Sequence, residues 1–394
     1  MTTKKARVIA LYLPQFHPIP ENDAWWGKGF TEWTNVAKAK PLFKGHYQPH
    51  IPADLGFYDL RLPEVREAQA ELAREAGIEG FCYWHYWFGN GRRLLERPFN
   101  EVLESGKPDF PFCLAWANHS WSSNSWKKGF ALQKNTLLLE QTYPGEQDYI
   151  DHFHAVLPAL QDKRYICVDG KPLFAVFRPH DCPDMARFIA IWRDLAVKNR
   201  LPGIYFVGMV NNARNKTSMI PSVNNAAECY NSVLELGFDA VCSQGLMRAD
   251  ILANKMFLAH EVLSRIFKIN HLITYDQDKI NKNLLVEEDK WENVFPSIYS
   301  NWDRSPRAGK KAAIYVNSTP KVFEKLLRNA IELIKDKDDE HKILFLRSWN
   351  EWGEGNHVEP DLTYIIHSGF ISGYQNRYGD NLKPPTNVYH RMTA

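Results

Sequence analysis

The sequence predicts a closed (β/α)8 barrel, and three observations carry that expectation. Eight apolar runs of strand length alternate with amphipathic stretches of helical period along the 394-residue chain. Each run is apolar along most of its length rather than at every second residue, as strands covered on both faces must be. The long connections rich in Trp, Asn, His and Gly follow the first, third and sixth runs, on the side where barrel enzymes carry their sites. An open doubly wound sheet is the structural alternative.

In chain order the expected strands are Val8 to Leu13, Gly80 to Trp87, Phe112 to Ala117, Leu173 to Phe177, Ile204 to Val210, Asp239 to Ser243, Ser297 to Ser300 and Ile343 to Ser348. Helices are expected at Leu62 to Ala76, Arg93 to Glu104, Gln147 to Leu160, Met185 to Lys198, Ala226 to Leu236, Lys255 to Phe267 and Lys321 to Lys335, with a closing one after Asp361. One catalytic barrel domain over 1–394 is the resulting expectation, with a helical insertion around 247–295. The run Lys335 to Lys342 reads as a solvated helix end and turn.

Charge and cysteine usage narrow the partners. Lys and Arg number 48 against 46 Asp and Glu, and no basic block occurs. Nucleic acid and anionic membrane both demand a concentrated basic excess, so neither is expected as the partner. The apolar run after Met1 is too short for a signal sequence, and no apolar run is long enough to span a bilayer. Six dispersed cysteines without a CxxC pair suit reduced thiols, and a cytoplasmic protein is expected.

The strongest chemical constellation ends the last strand, in LFLRSWNEWGEGNHVEPD, residues 344–361. Glu351 and Glu354 stand three residues apart, flanked by Trp349, Asn350 and Trp352 and hinged on glycines. Glycoside hydrolysis needs one carboxyl that keeps its proton and one that is ionised, and apolar rings favour the first by disfavouring its charged form. A bland reading competes: the two glutamates could oppose the positive end of a helix dipole.

Aromatic interleaving supplies a second line. WWGKGFTEW (25–33), FCYWHYWF (81–88) and AWANHSWSSNSW (115–126) place rings beside polar groups at strand ends. Indoles stack on the C–H faces of pyranoses while hydroxyls seek Asn, His and carboxylate partners. Trp25, Trp26, Trp33, Trp116, Trp121 and Trp126 sit in polar contexts, whereas Phe81, Tyr83 and Phe112 read as core. Glu32, His85, Asn118, His119, Arg178, His180, Asn211 and Asp303 fall where a barrel pocket would be lined. Each alone reads equally as a satisfied structural polar group.

Missing motifs matter too. Only a Gly-x-Gly fragment occurs near Phe88, and there is no P-loop, zincin motif, CxxC set or Gly-x-Ser-x-Gly elbow. His152 and His154, at i and i+2 on a helix, face different sides. No metal and no cofactor are expected.

With these residues in place, the chain resembles the WbsX-like proteins, which are related to glycoside hydrolase family 99, the endo-α-mannosidases. The resemblance is carried by ALYLPQFHPIPENDAWWGKGFTEWTNV (10–36), QPHIPADLGFYDL (48–60), GIEGFCYWHYWFGNGRRLLERP (77–98), FCLAWANHSW (112–121) and SWNEWGEGNHVEPD (348–361). It implies a (β/α)8 barrel and a retaining attack on an α-glycoside. Glu351 looks like the first glutamate of the family 99 E-W-x-E motif and Glu354 like the second. By that likeness Glu351 takes the proton of the sugar 2-hydroxyl, which closes a 1,2-anhydro ring, while Glu354 protonates the leaving oxygen. The configuration that permits this is α-mannose-like or α-rhamnose-like. Gly353 at the variable position and Asn356 after Gly355 depart from the family 99 pattern. The implied partner is an oligosaccharide or polysaccharide.

The leading expectation is therefore a glycoside hydrolase. The alternative is a glycosyltransferase of surface polysaccharide (O-antigen or capsule) biosynthesis, against which the chain lacks a nucleotide-phosphate cradle. Asp336, Asp338 and Asp339 are the acidic group nearest to a metal-nucleotide motif. A third possibility is a glycan-binding barrel without catalysis.

Overall fold

A computed structural model of the chain describes residues 6–123, 136–211, 225–253 and 272–363. Its centre is a ring of eight parallel strands: β1 (Arg7–Tyr12), β2 (Gly80–Trp87), β3 (Phe112–Trp116), β4 (Lys171–Val176), β5 (Tyr205–Val210), β6 (Ala240–Ser243), β7 (Val294–Tyr299) and β8 (Ile343–Arg347). Each strand pairs with the next in sequence, and β8 returns to β1 in the register Val8 to Leu344, so the sheet has no edge. The closed barrel is the expected one, and the open sheet is excluded. Burial of nearly every strand residue explains why the runs read as apolar along most of their length.

Boundaries moved where local chemistry intervened. β7 begins at Val294, three residues before the expected start, because Val294 and Phe295 pair with Val241 and Cys242 despite the following Pro296, which supplies no ladder donor. The helix expected from Arg93 starts at Arg97, where Pro98 suits a first turn, and Gly106 in the left-handed region ends it. Arg93–Leu94 instead pairs with the end of β2. The helices Pro63–Glu75, Glu146–Leu160, Met185–Lys198, Ala226–Leu234 and Pro320–Ile334 match expectation within a few residues.

The expected helix Lys255 to Phe267 and most of the stretch after Asp361 lie outside the described residues. Of the 247–295 segment, the described part holds a helix within Leu246–Ala253 and another at Gln277–Leu284. It also holds a strand, Ile273–Asp276, that pairs with Ala313–Val316 away from the barrel. All six cysteines are free thiols. No helix of the described residues is long and apolar enough to cross a membrane.

The connection after β1 positions the site. It carries two short helices, Pro20–Trp26 and Glu32–Ala37, and then runs alongside the segment after β8. Ala53 N donates to Pro360 O at 3.0 Å and Leu362 N to Ile51 O at 3.0 Å, joining the two segments.

Candidate active site

The last strand delivers its motif at the C-terminal mouth of the barrel. Beyond Arg347 the chain turns through Ser348 to Glu351 into a single helical turn, Trp352–Glu354. Ser348 Oγ accepts from Glu351 N at 2.8 Å, and the Asn350 side chain clasps Leu13, accepting from its N at 2.7 Å and donating to its O at 3.0 Å. Glu351 and Glu354 are thereby fixed relative to the end of β1.

Both carboxylates converge on Arg307, from the short helix Ser305–Ala308 after β7. Arg307 Nη2 contacts Glu351 Oε1 and also Glu32 Oε1, while Nη1 lies 2.8 Å from Glu354 Oε1. Arg304 Nε lies 3.1 Å from the same Glu354 oxygen. Three carboxylates from the connections after β1 and β8 thus share one buried guanidinium. Gly353 makes this possible, since a Cβ there would stand 2.3 Å from Glu32 Oε2 and 2.8 Å from Arg307 Nε. The departure from the family 99 pattern at residue 353 has this local reason.

The environment splits the pair. Burial pushes Glu351 up to about 8, and the charges of Glu354 and Glu32 oppose the relief that Arg307 offers. Glu354 is buried too, but Arg304, Arg307 and Arg347 outweigh that penalty and hold it below the ordinary carboxylate range. Glu32, wholly enclosed, is raised by burial. At neutral pH Glu351 keeps a proton and Glu354 does not.

A scaffold surrounds the pair. Glu359 accepts from Trp352 Nε1 (2.6 Å), Tyr58 OH (2.8 Å) and Gln69 Nε2, and burial pushes it up to about 7. Asp303 Oδ2 accepts from Gln48 Nε2 at 2.7 Å and from His46 Nε2 at 2.8 Å, and its backbone N donates to Glu354 O at 2.7 Å. Because His46 Nδ1 accepts from Leu42 N, the imidazole proton is on Nε2. His50, His357 and Asp361 form a buried group whose ligand-type atoms lie within 4.8 Å of one another, close enough to admit a cation, although Asp361 Oδ2 already lies 3.1 Å from His50 Nδ1.

Many of the expected ligand contacts are engaged with protein. Trp349 and Trp352 are buried, the latter stacked on His357 at 3.7 Å. Trp116 donates to Trp87 O at 2.9 Å, and Trp33 donates to Tyr58 O at 2.7 Å within a cluster of Phe16, Tyr58 and Trp352. Asn118 binds the backbone N and O of Arg178, each at 2.8 Å, tying the end of β3 to that of β4. His85 and His152 meet Nε2 to Nε2 at 2.8 Å, and burial lowers both, so this is a neutral pair.

Other expected residues do stand open at the mouth. Trp25 and Trp121 meet edge-on at 6.0 Å, both half-buried, and Trp26 packs by Phe30. His119, held neutral by burial at about 4, lies 5.3 Å from Phe177. Arg178, His180 and Asn211 are exposed. Trp126 lies outside the described residues. Sequence reasoning missed Arg304, Arg307, Arg347, His46, Gln48 and His50. Arg307 had one available signal, its position in a connection leaving the C-terminal end of a strand.

Comparison with known proteins gives the family and the fold. The family described as Glycosyltransferase WbsX matches residues 8–368. The chain belongs to the WbsX glycosyltransferase family. Two curated relatives, each called uncharacterized protein WxcX, come from Xanthomonas campestris pv. campestris, strains B100 and ATCC 33913. Each is 33% identical over 363 residues, 91% of this chain and 48% of the relative. This WbsX-family chain therefore spans about half the length of the curated relatives it matches. Among solved structures, a glycoside hydrolase-like protein superposes with a TM-score of 0.57 at 14% identity, covering 94% of this chain and 93% of that one. The GH99 endo-α-mannosidase from Bacteroides thetaiotaomicron gives 0.51 at 14%, covering 92% and 88%. At such identity these two likenesses speak to the fold.

Proposed function

We propose that this WbsX-family chain is a glycoside hydrolase acting on an α-linked glycan, with Glu351 and Glu354 as its proton-transfer pair. The observation that carries the reading is geometric: two buried carboxylates converge on Arg307 at the barrel mouth, in surroundings that raise Glu351 and lower Glu354, so that one carboxyl can hold a proton while the other is ionised. Cleavage of a glycosidic bond begins from that proton count, one group giving a proton to the leaving oxygen and one receiving a proton. In the retaining scheme implied by the resemblance, the received proton comes from the sugar 2-hydroxyl, which closes onto the anomeric carbon as the C–O bond to the leaving group breaks. Water then reopens the 1,2-anhydro ring, and both carboxyl groups return to their starting states. The 2-hydroxyl must be trans to the leaving group, which selects α-mannose-like or α-rhamnose-like sugars.

Because burial raises Glu351 and the neighbouring arginines lower Glu354, the order in which Glu351 gives and Glu354 receives needs no prior transfer. The opposite order, the one the resemblance implies, needs the proton to pass to Glu354 as substrate binds. Leaving-group dependence decides between them. Glu351→Gln and Glu354→Gln would each lower turnover by about 10²–10⁴ on a glycan substrate. An aryl glycoside with a good leaving group would restore only the variant lacking the proton donor. Near wild-type hydrolysis by both variants would end the assignment.

The family's description favours a second reading, a glycosyltransferase. Saturable calorimetric binding of a nucleotide sugar, together with transfer to an acceptor glycan, would establish it in place of hydrolysis.

A further inference from the structure

Arg347 is the last residue of β8 and stands four residues before Glu351. Its guanidinium carbon lies 5.8 Å from the centroid of Phe177, just after β4, and 5.9 Å from that of Trp302, just after β7. A second guanidinium, Arg178, lies 5.6 Å from the same Phe177 ring. Trp84 meets the edge of Phe177 at 5.4 Å, adding a β2 residue to the wall. Two cations and three aromatic rings from four strands thus adjoin one another beside the glutamate pair. Unlike Arg304 and Arg307, the half-buried Arg347 makes no ion pair with a carboxylate among the described residues.

We infer that this wall is a subsite for an acidic sugar, with Arg347 receiving an anionic substituent, a uronic acid carboxylate, while Phe177 or Trp302 covers the sugar's C–H face. The planar guanidinium fork matches a carboxylate by two parallel hydrogen bonds, a match that a neutral hydroxymethyl group does not offer. The rings meet the other requirement of a pyranose, an apolar face against which its C–H groups pack. Arg347 also lies near enough to Glu351 and Glu354 to draw both toward ionisation. An anion held on Arg347 therefore sits in the subsite adjoining the scissile bond. The inference rests on the glycan-cleaving reading above and specifies its substrate class.

Calorimetry of the full chain with oligosaccharides matched in linkage but neutral, uronic-acid-containing or sulfated tests it. The uronate series should bind about 10- to 100-fold more tightly than the neutral series, the range of a hydrogen bond to a charged group. That preference should weaken with added salt and vanish in Arg347→Met. Arg347→Lys, which keeps the charge and loses the fork, should retain part of it and serves if the methionine variant folds poorly. A preference shared by the sulfated series would show that charge is what is read, and one confined to uronates that the planar fork is. Equal affinity for neutral and acidic series, or a preference that survives Arg347→Met, would overturn the inference and leave hydrolysis standing. Absence of binding to every series would instead overturn the glycan-cleaving reading from which it starts.

Discussion

Arg307→Met removes the single cation on which Glu32, Glu351 and Glu354 converge. Methionine fills much of the same volume, so the loss is electrostatic. Breaking a buried ionic cluster by deleting one partner costs about 3–5 kcal/mol. With an unfolding entropy of about 2.1 cal/mol/K per residue, a chain of 394 residues should then melt about 4–6 °C lower at pH 8. The deficit should depend on pH with a definite sign. Glu351 and Glu32 already titrate above their unfolded values, and without Arg307 they move further up. Carboxyls raised in this way favour the folded state fully below the unfolded value near 4.3 and lose that contribution as pH rises through the folded one. At pH 5 Glu351 is protonated, its repulsion with Glu354 and Glu32 is gone, and the deficit should shrink toward about 1–2 kcal/mol of lost hydrogen bonding. Urea and thermal unfolding of both proteins at pH 5 and pH 8 measure this. An equal deficit at both values, or a variant as stable as wild type at pH 8, would refute the shared-cation argument.

Three further outcomes follow from the same geometry. With a confirmed substrate, kcat/KM should fall above about pH 8 as Glu351 loses its proton. On the acid side it should hold until below the ordinary carboxylate range, and Glu354→Gln should abolish that acid limb. Gly353→Ala should cost about 1–3 kcal/mol in denaturant unfolding through overpacking and reduce turnover, because its methyl displaces Glu32 or Arg307; unchanged stability and rate would contradict the close approach. Glu359→Gln turns an acceptor of three protein donors into a group bearing its own N–H, and should cost about 1–3 kcal/mol by the same unfolding assay, while leaving the pH optimum in place.

The barrel was legible because closure leaves its strands covered on both faces, which writes them as largely apolar runs. Pro296 blurred one start, and Arg93–Leu94 paired with β2 before its helix began. The position of the glutamate pair at the barrel mouth was legible because the pair directly follows the last strand. The roles of the indoles were not. Trp349 and Trp352 look the same in sequence as Trp25 and Trp121, yet the first two pack inward and the last two stay half-buried at the mouth. Only the path of the chain decides which, and the turn held by Asn350 and Leu13 sets that path. Arg307 was harder to single out for another reason: beyond its place after a strand end, one arginine in an irregular connection has no periodicity to betray it, and its meaning comes from partners 275 and 44 residues away.

The clasp between Asn350 and Leu13, beside the β1–β8 seam, ties the carboxylate cluster to closure of the barrel. A growing chain holds Glu32 from an early stage and Arg307 once β7 is made, but Glu351 and Glu354 follow only after the final stave. Sealing the cylinder and bringing Glu351 and Glu354 onto the guanidinium they share with Glu32 are one event, so an unsealed barrel lacks the cluster as a whole.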